Sequence, residues 1–178
     1  MSTDERSVDL DMKSALILIQ KLYNWFAKAM SNLQSPFLLV VRLYWGWQIS
    51  QNGWAKLHNI PHVTEFFASL GLPAPAATAI FVSSTELVAG ILLALGLFSR
   101  IGALALTIDM TVAYVTADRA ALLSFFSDPG KFYTADPYTF LFAALLILIL
   151  GPGKLSADTF LERLVAKAKV GETRMSAI

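Results

Sequence analysis

The chain contains no cysteine. Disulfides, thiolate metal sites, thioether-linked haem and a dithiol redox centre are therefore excluded within its 178 residues. Histidine is nearly missing too: with only His58 and His62, a bis-histidine haem held inside one chain has almost no ligands to draw on. Charged residues make up 15% of the sequence, against about 25% in soluble domains. A formal net charge of +1 offers no attraction to nucleic acid or to acidic substrates. No Walker loop, no glycine-rich dinucleotide turn after a strand and no G-x-S-x-G elbow occurs. Electron or group transfer would need a partner or a bound small molecule.

What the chain has in quantity is apolar sequence, 56% of all residues, gathered in several long runs. That predicts an all-α membrane protein: a bundle of four transmembrane helices with amphipathic surface helices at both termini. The central run, Ala76 to Phe98, holds no Lys, Arg or Asp and as a helix reaches about 34 Å, enough for a hydrocarbon core of about 30 Å. The other predicted spans cover about 36–57, 101–117 and 137–150, completing a membrane domain over 36–155. Pro36 is expected in the first turn of the first span, and Asp136 with Pro137 as cap and first turn of the fourth.

Residues 1–9 are polar and expected to be loose. Beyond them Leu16, Ile19, Tyr23, Phe26, Met30 and Leu33 recur at helical spacing opposite Lys21, Asn24 and Lys28. Residues 1–35 thus read as a helix on the membrane surface or docked on the bundle. Residues 156–178 read as a second surface helix, capped by Ser156, with a tail. Between the first two spans Thr64 is expected to cap a short helix starting near Glu65. With both termini inside, ten cations, Arg6, Lys169 and Arg174 among them, lie on the inner side and only Lys56, Arg119 and Lys131 on the outer. That satisfies the positive-inside rule.

Glu86 sits mid-run, and a carboxylate at bilayer depth costs on the order of 3 kcal/mol on insertion scales, so it calls for a partner. Helical rise places Arg42 about 9 Å from the inner end of its span, Asp109 about 12 Å, Glu86 about 18 Å and Lys56 about 30 Å. Arg42 with Asp109 is the best-matched pair, and Glu86 can reach toward Arg42 or Lys56. These four either lock helix register or line a site for a proton or polar ligand. Gly46, Gly53 and Gly90 lie on helix faces where small residues allow close backbone approach. Trp45 and Trp47 fall at mid-span, as core packing or as stacking surfaces for a planar ring such as a quinone. Trp54 reads as an interfacial belt residue and Asp118 with Arg119 as a solvated loop entry. No metal site is expected; His58 and His62 are weak candidates at i, i+4, with Pro61 between them.

The chain resembles the DoxX family of small four-span membrane proteins. The matching elements are Arg42-Leu43-x-x-Gly46, Asn52-Gly53-Trp54-x-Lys56-Leu57 and the Phe66–Pro73 stretch F-F-x-x-L-G-L-P. They continue with Glu86-Leu87-x-x-Gly90, Leu95–Arg100 (L-G-L-F-S-R) and Gly151–Ser156 (G-P-G-K-L-S), covering roughly 36–160. The resemblance implies a multi-pass protein of a prokaryotic cytoplasmic (inner) membrane, linked to quinone-coupled sulfur oxidation, terminal oxidases or redox-stress assemblies. It implies an oxidoreductase-complex subunit holding a quinone or other small ligand, non-covalently, for a partner protein or a second copy. The family pattern often places a histidine late in the third span, where this chain has Asp118. Two other readings use the same charges: a small transporter or proton/ion relay, and a membrane scaffold.

Overall fold

A computed structural model describes residues 3–175; residues 1–2 of the expected loose start and 176–178 of the tail lie outside it. For 3–12, 14–15 and 169–175 it describes the backbone alone, so the side chains of Arg6, Lys169 and Arg174 are outside the described set. The described residues are helical with no strand: α1 (Thr3–Leu57), α2 (Ile60–Ser69), α3 (Pro75–Leu95), α4 (Ser99–Thr116), α5 (Arg119–Leu123), α6 (Pro129–Tyr133), α7 (Pro137–Leu150) and α8 (Ala157–Met175).

Helix α1 departs from expectation. It runs unbroken for 55 residues with Pro36 in its interior, where the sequence predicts two helices meeting at Pro36 and a loose stretch over 1–9. Proline lacks the N–H that would reach the Asn32 carbonyl, and an interior proline costs on the order of 3 kcal/mol. Strong helix formers on both sides carry the helix through. Ser35, beside the proline, accepts the Lys154 N–H at 3.1 Å, which pins this point to the chain after α7. Helix α2 starts earlier than expected, at Ile60 after Asn59, with Pro61 in its first turn. Proline is well tolerated there, so Thr64 lies inside the helix and caps nothing.

The bundle is built on α1 and α3, which pack most extensively, with α4 seated on α3 and α7. Leu38, Val41 and Ile49 of α1, Ala89 and Leu93 of α3, Leu106 of α4 and Ile147 of α7 form the shared core. The outward faces are apolar as well: Phe37 and Val40, Phe81 and Val88, Ile101 and Ile108, and Phe142 and Ile149 are all more than half exposed. Arg42, Ser83, Glu86 and Ser99 are buried instead. Among the described residues one helix, α3, is long and apolar enough to cross a membrane. Helix α7 is apolar but only 14 residues long, and α4 carries Arg100 and Asp109.

At the α3–α4 end the chain is locked. Gly96 closes α3 in the left-handed conformation, φ 70°, and the Leu97 N–H returns to the Leu92 carbonyl at 3.0 Å. A β-carbon on Gly96 would run into the Arg42 guanidinium, so two constraints require glycine there. Phe98 is also left-handed, φ 45°. Its N–H and that of Ser99 donate to the two carboxylate oxygens of Asp158 at 2.7 and 2.9 Å. Asp158 thus caps α4 from another helix, satisfying N–H groups that a helix start leaves bare. Its own N–H donates to the Gly96 carbonyl at 2.9 Å. Ser156 accepts from the Thr159 N–H at 3.2 Å, holding the first turn of α8.

Gly96→Ala is expected to cost at least about 1–3 kcal/mol for the left-handed backbone, and Asp158→Ala about 0.5–2 kcal/mol for the lost cap. Thermal unfolding in detergent checks both; unchanged midpoints would show that this end is not locked as described.

Candidate functional site

Three glycines set the geometry of the site. A β-carbon on Gly53 would lie 2.4 Å from the Leu87 nitrogen and 2.6 Å from the Ser83 oxygen. One on Gly46 would lie 2.8 Å from the Ala94 nitrogen, and one on Gly90 2.6 Å from Ser50 Oγ. The backbones of α1 and α3 therefore touch, antiparallel, along this stripe. Ser50 is kept out of the way by donating to its own helix at Gly46 O, 2.6 Å. Lys56 lies almost a turn beyond Gly53, and Glu86 lies between the two residues that Gly53 meets. Helical side chains lean toward their own N-terminus. On antiparallel neighbours, Lys56 and Glu86 consequently lean toward each other.

They meet at 2.6 Å, Lys56 Nζ to Glu86 Oε1. The Glu86 side chain is 3% exposed and that of Lys56 35%. The second carboxylate oxygen, Oε2, is buried with no hydrogen-bond partner, as is Asp109 Oδ2 on α4. Both carboxylates line a cavity of about 380 Å³ at the α2 end of the bundle. Lys56, Asn52, Asp118 and Asp136 also border it, and Phe66, Phe67 and Phe140 supply aromatic wall. Exposure falls along the acids, from exposed Asp136 through half-buried Asp118 and Asp109 to buried Glu86. Asp136 is free to take part because, contrary to expectation, its side chain makes no capping bond to α7. Burial, and then the charge of Asp136, push the Asp118 carboxyl above its ordinary range.

Arg42 is elsewhere, and its expected pairing with Asp109 is overturned. The guanidinium is fully buried at the α3–α4 end, donating through Nη2 to the Leu155 carbonyl at 2.5 Å, with Asp158 the charge facing it. The long side chain leans toward the N-terminal side of its helix, as helical side chains do, and so reaches the α3–α4 end. Asp109 and Glu86 count almost equal numbers of residues from the same α3–α4 turn, so these two share a level. Counting each helix from its own end had hidden both facts.

The tryptophans do not face the cavity. Trp45 packs on the core and edge-on to Tyr44, ring centres 4.8 Å apart. Trp47, 63% exposed, borders with Trp54 a separate apolar groove of about 500 Å³ on the outward side of α1 and α3. His58 falls in the turn between α1 and α2, its Nδ1 2.9 Å from the Trp54 carbonyl, and His62 is on α2, so the pair does not share one helix. Among the described residues no group of three or more potential metal ligands forms. Asn52, Asp118, Asp136 and the three phenylalanines had not been read as site residues. In the sequence the two aspartates bracket the loop between α4 and α7, Asp118 standing where the family pattern often has a histidine.

The model of the DoxX family matches residues 37–119. That stretch takes in α1 from Phe37 onward, α2, α3 and α4, and ends before α7. No curated protein and no solved structure matches the chain.

Lys56→Met is expected to destabilise at the low end of about 3–5 kcal/mol, the cost of stranding a buried ion-pair partner, since Lys56 is itself about a third exposed. Adding Glu86→Gln should recover most of the loss; equal midpoints for single and double variants in detergent would refute the pairing. Asp118 binds its proton more tightly folded than unfolded, so its effect on stability is favourable below roughly pH 4. That contribution is lost as pH rises through the raised folded value. Asp118→Asn should therefore raise the unfolding midpoint at pH 7–8 and leave it unchanged near pH 4, which a pH series checks.

Proposed function

Over residues 37–119 the chain belongs to the DoxX family, a membrane family, and from that premise we propose that it is a multi-pass membrane subunit with a small-ligand site in the cavity beside Glu86. The bundle is all-helical, and α1, α3, α4 and α7 all turn bulky apolar side chains outward while keeping charge inside. That distribution supports four spans, because lipid tolerates apolar side chains and demands internally bonded backbone. The cation count supports termini on the cytoplasmic side of a prokaryotic inner membrane. The exposed apolar side chains of α1 ahead of Pro36 (Leu16, Leu22, Tyr23, Trp25) and of α8 (Phe160, Leu161, Leu164, Val165) support an assembly with a partner or a second copy.

The observation that carries the site is the coincidence of unused buried acceptors with space. Glu86 Oε2 and Asp109 Oδ2 lack partners, and the adjoining cavity holds about 380 Å³, within the range of small-molecule pockets. Farther in, Leu93, Leu106 and Ile147 fill the interior. The cavity is therefore blind-ended in this conformation, which favours a bound ligand over a continuous ion path.

A quinone is the ligand that the family resemblance brings forward. Its ring carbonyls only accept hydrogen bonds. Against them the lining offers the Asn52 amide and Lys56, which already donates to Glu86, while the four carboxylates are acceptors once ionised. Carboxylates outnumber donors in the lining, which favours a ligand bringing its own N–H groups, and neither Trp45 nor Trp47 lines the cavity.

Native mass spectrometry of the detergent-extracted protein tests the site. The wild type should retain a small molecule that Val82→Trp, which fills the cavity wall, loses while still folding. Identical spectra for both proteins, without any retained mass, would remove the cavity as a ligand site.

A further inference from the structure

We infer that the cavity selects a small organic cation, an alkylammonium or arylammonium, bound between the carboxylates of Asp109 and Glu86 and the phenylalanine wall. This rests on the cavity being a ligand site and adds the chemical class of its occupant. The lining holds four carboxylates, Glu86, Asp109, Asp118 and Asp136, against one cation, Lys56, which pairs with Glu86 Oε1. Glu86 is 2% exposed, and its remaining oxygen has no donor. Asp109 Oδ2 is in the same position. A buried acceptor without a donor is costly, and a ligand bringing N–H groups and positive charge removes that cost for both at once. Neutral acceptors and anions meet repulsion instead.

The remaining wall points to a cation that is organic. Phe66, Phe67 and Phe140 line the same space, and aromatic faces attract ammonium groups while accommodating their carbon skeleton. A bare metal ion is the wrong occupant. The described residues form no cluster of three or more ligands for one, and about 380 Å³ is far more room than an ion fills. The acids also grade inward from exposed Asp136 to buried Glu86, so a cation meets carboxylates along its whole entry. The shared chemistry is the ammonium group, whether on a free amine or on an aminophospholipid headgroup.

Isothermal titration of the full chain in detergent at pH 7.5, with three probes of one shape, decides the matter: phenethylammonium, 2-phenylethanol and phenylacetate. The expected result is saturable binding of phenethylammonium, at least tenfold tighter than 2-phenylethanol, with none for phenylacetate. Asp109→Asn should weaken it about tenfold. Asp118→Asn, outside the spans, should weaken it less and serves where Asp109→Asn fails to fold. A phospholipid mass with an amine headgroup, retained in native spectra and displaced by phenethylammonium, supports the inference and assigns the source. Equal affinity for 2-phenylethanol, with no change in either variant, overturns the cation while leaving the cavity as a site. Binding of none of the three overturns it also, and the wild-type against Val82→Trp spectra then show separately whether the cavity binds anything.

Discussion

A carboxylate enclosed by apolar helices has to be met by a cation, and in this protein the meeting depends on backbone contact. Gly53 lets α1 lie against Ser83 and Leu87 of α3. At that separation the Lys56 side chain closes onto Glu86 at 2.6 Å. A methyl group on Gly53 would overlap backbone nitrogen and oxygen, which cannot swing aside as a side chain can. The helices would have to part, and the electrostatic attraction would weaken as the desolvated carboxylate stayed where it was. The small-residue stripe therefore precedes the ion pair in the chain of causes. Attraction in a low-dielectric interior is strong but does not itself bring helices together at the right height; the glycine contacts do that.

The two ends of the bundle use charge in opposite ways. At the α3–α4 end Asp158 is consumed by the Phe98 and Ser99 N–H groups, and Arg42 by the Leu155 carbonyl. Asp158 holds the segment after α7 onto the turn between α3 and α4, and Arg42 holds it onto α1. At the α2 end the acids outnumber the cation in the lining, and burial, then the charge of Asp136, raises the cost of ionising Asp118. One end spends its charges on closure, and the other keeps a surplus. A surplus of acceptors beside an opening has a use only if a donor can arrive from outside the chain.

Much of this was legible in the residues. The run from Ala76 to Phe98 gave a helix within a few residues of α3, and Pro137 to Leu150 gave α7. Both are long apolar stretches bounded by glycine or proline, where local signals agree. Lys56 was among the two cations judged able to reach Glu86, and the small residues of α1 and α3 mark their contact stripe. What was not legible is relative height. Rise per residue gives depth along one helix, but the offset between helices comes from turns and from glycine contacts that no single segment encodes. Arg42 was matched with Asp109 on such a count, and Arg42 instead turned toward the far side of the core. Pro36 misled for a related reason: its restriction is local, whereas the continuity of α1 reflects favourable helix on both sides. Asp136 and Pro137 do take the cap and first-turn positions of α7, but the Asp136 carboxylate makes no capping bond there and borders the cavity with Asp118 instead.

Unpartnered polar atoms occur at both ends, and the difference between them separates structure from site. Arg42 Nε and Nη1 also lack hydrogen-bond partners, yet the space around them is so full that Gly96 cannot gain a single carbon. Nothing can enter there, so the unmet donors are a cost of closing the bundle, offset by the facing charge of Asp158. Around Glu86 and Asp109 the unmet atoms border open volume with an acidic approach. An orphaned acceptor without room reports strain; one with room, graded access and aromatic walls is equipped to receive a donor. By that criterion the proposed ligand site belongs beside Glu86 and Asp109 rather than around the Arg42 guanidinium.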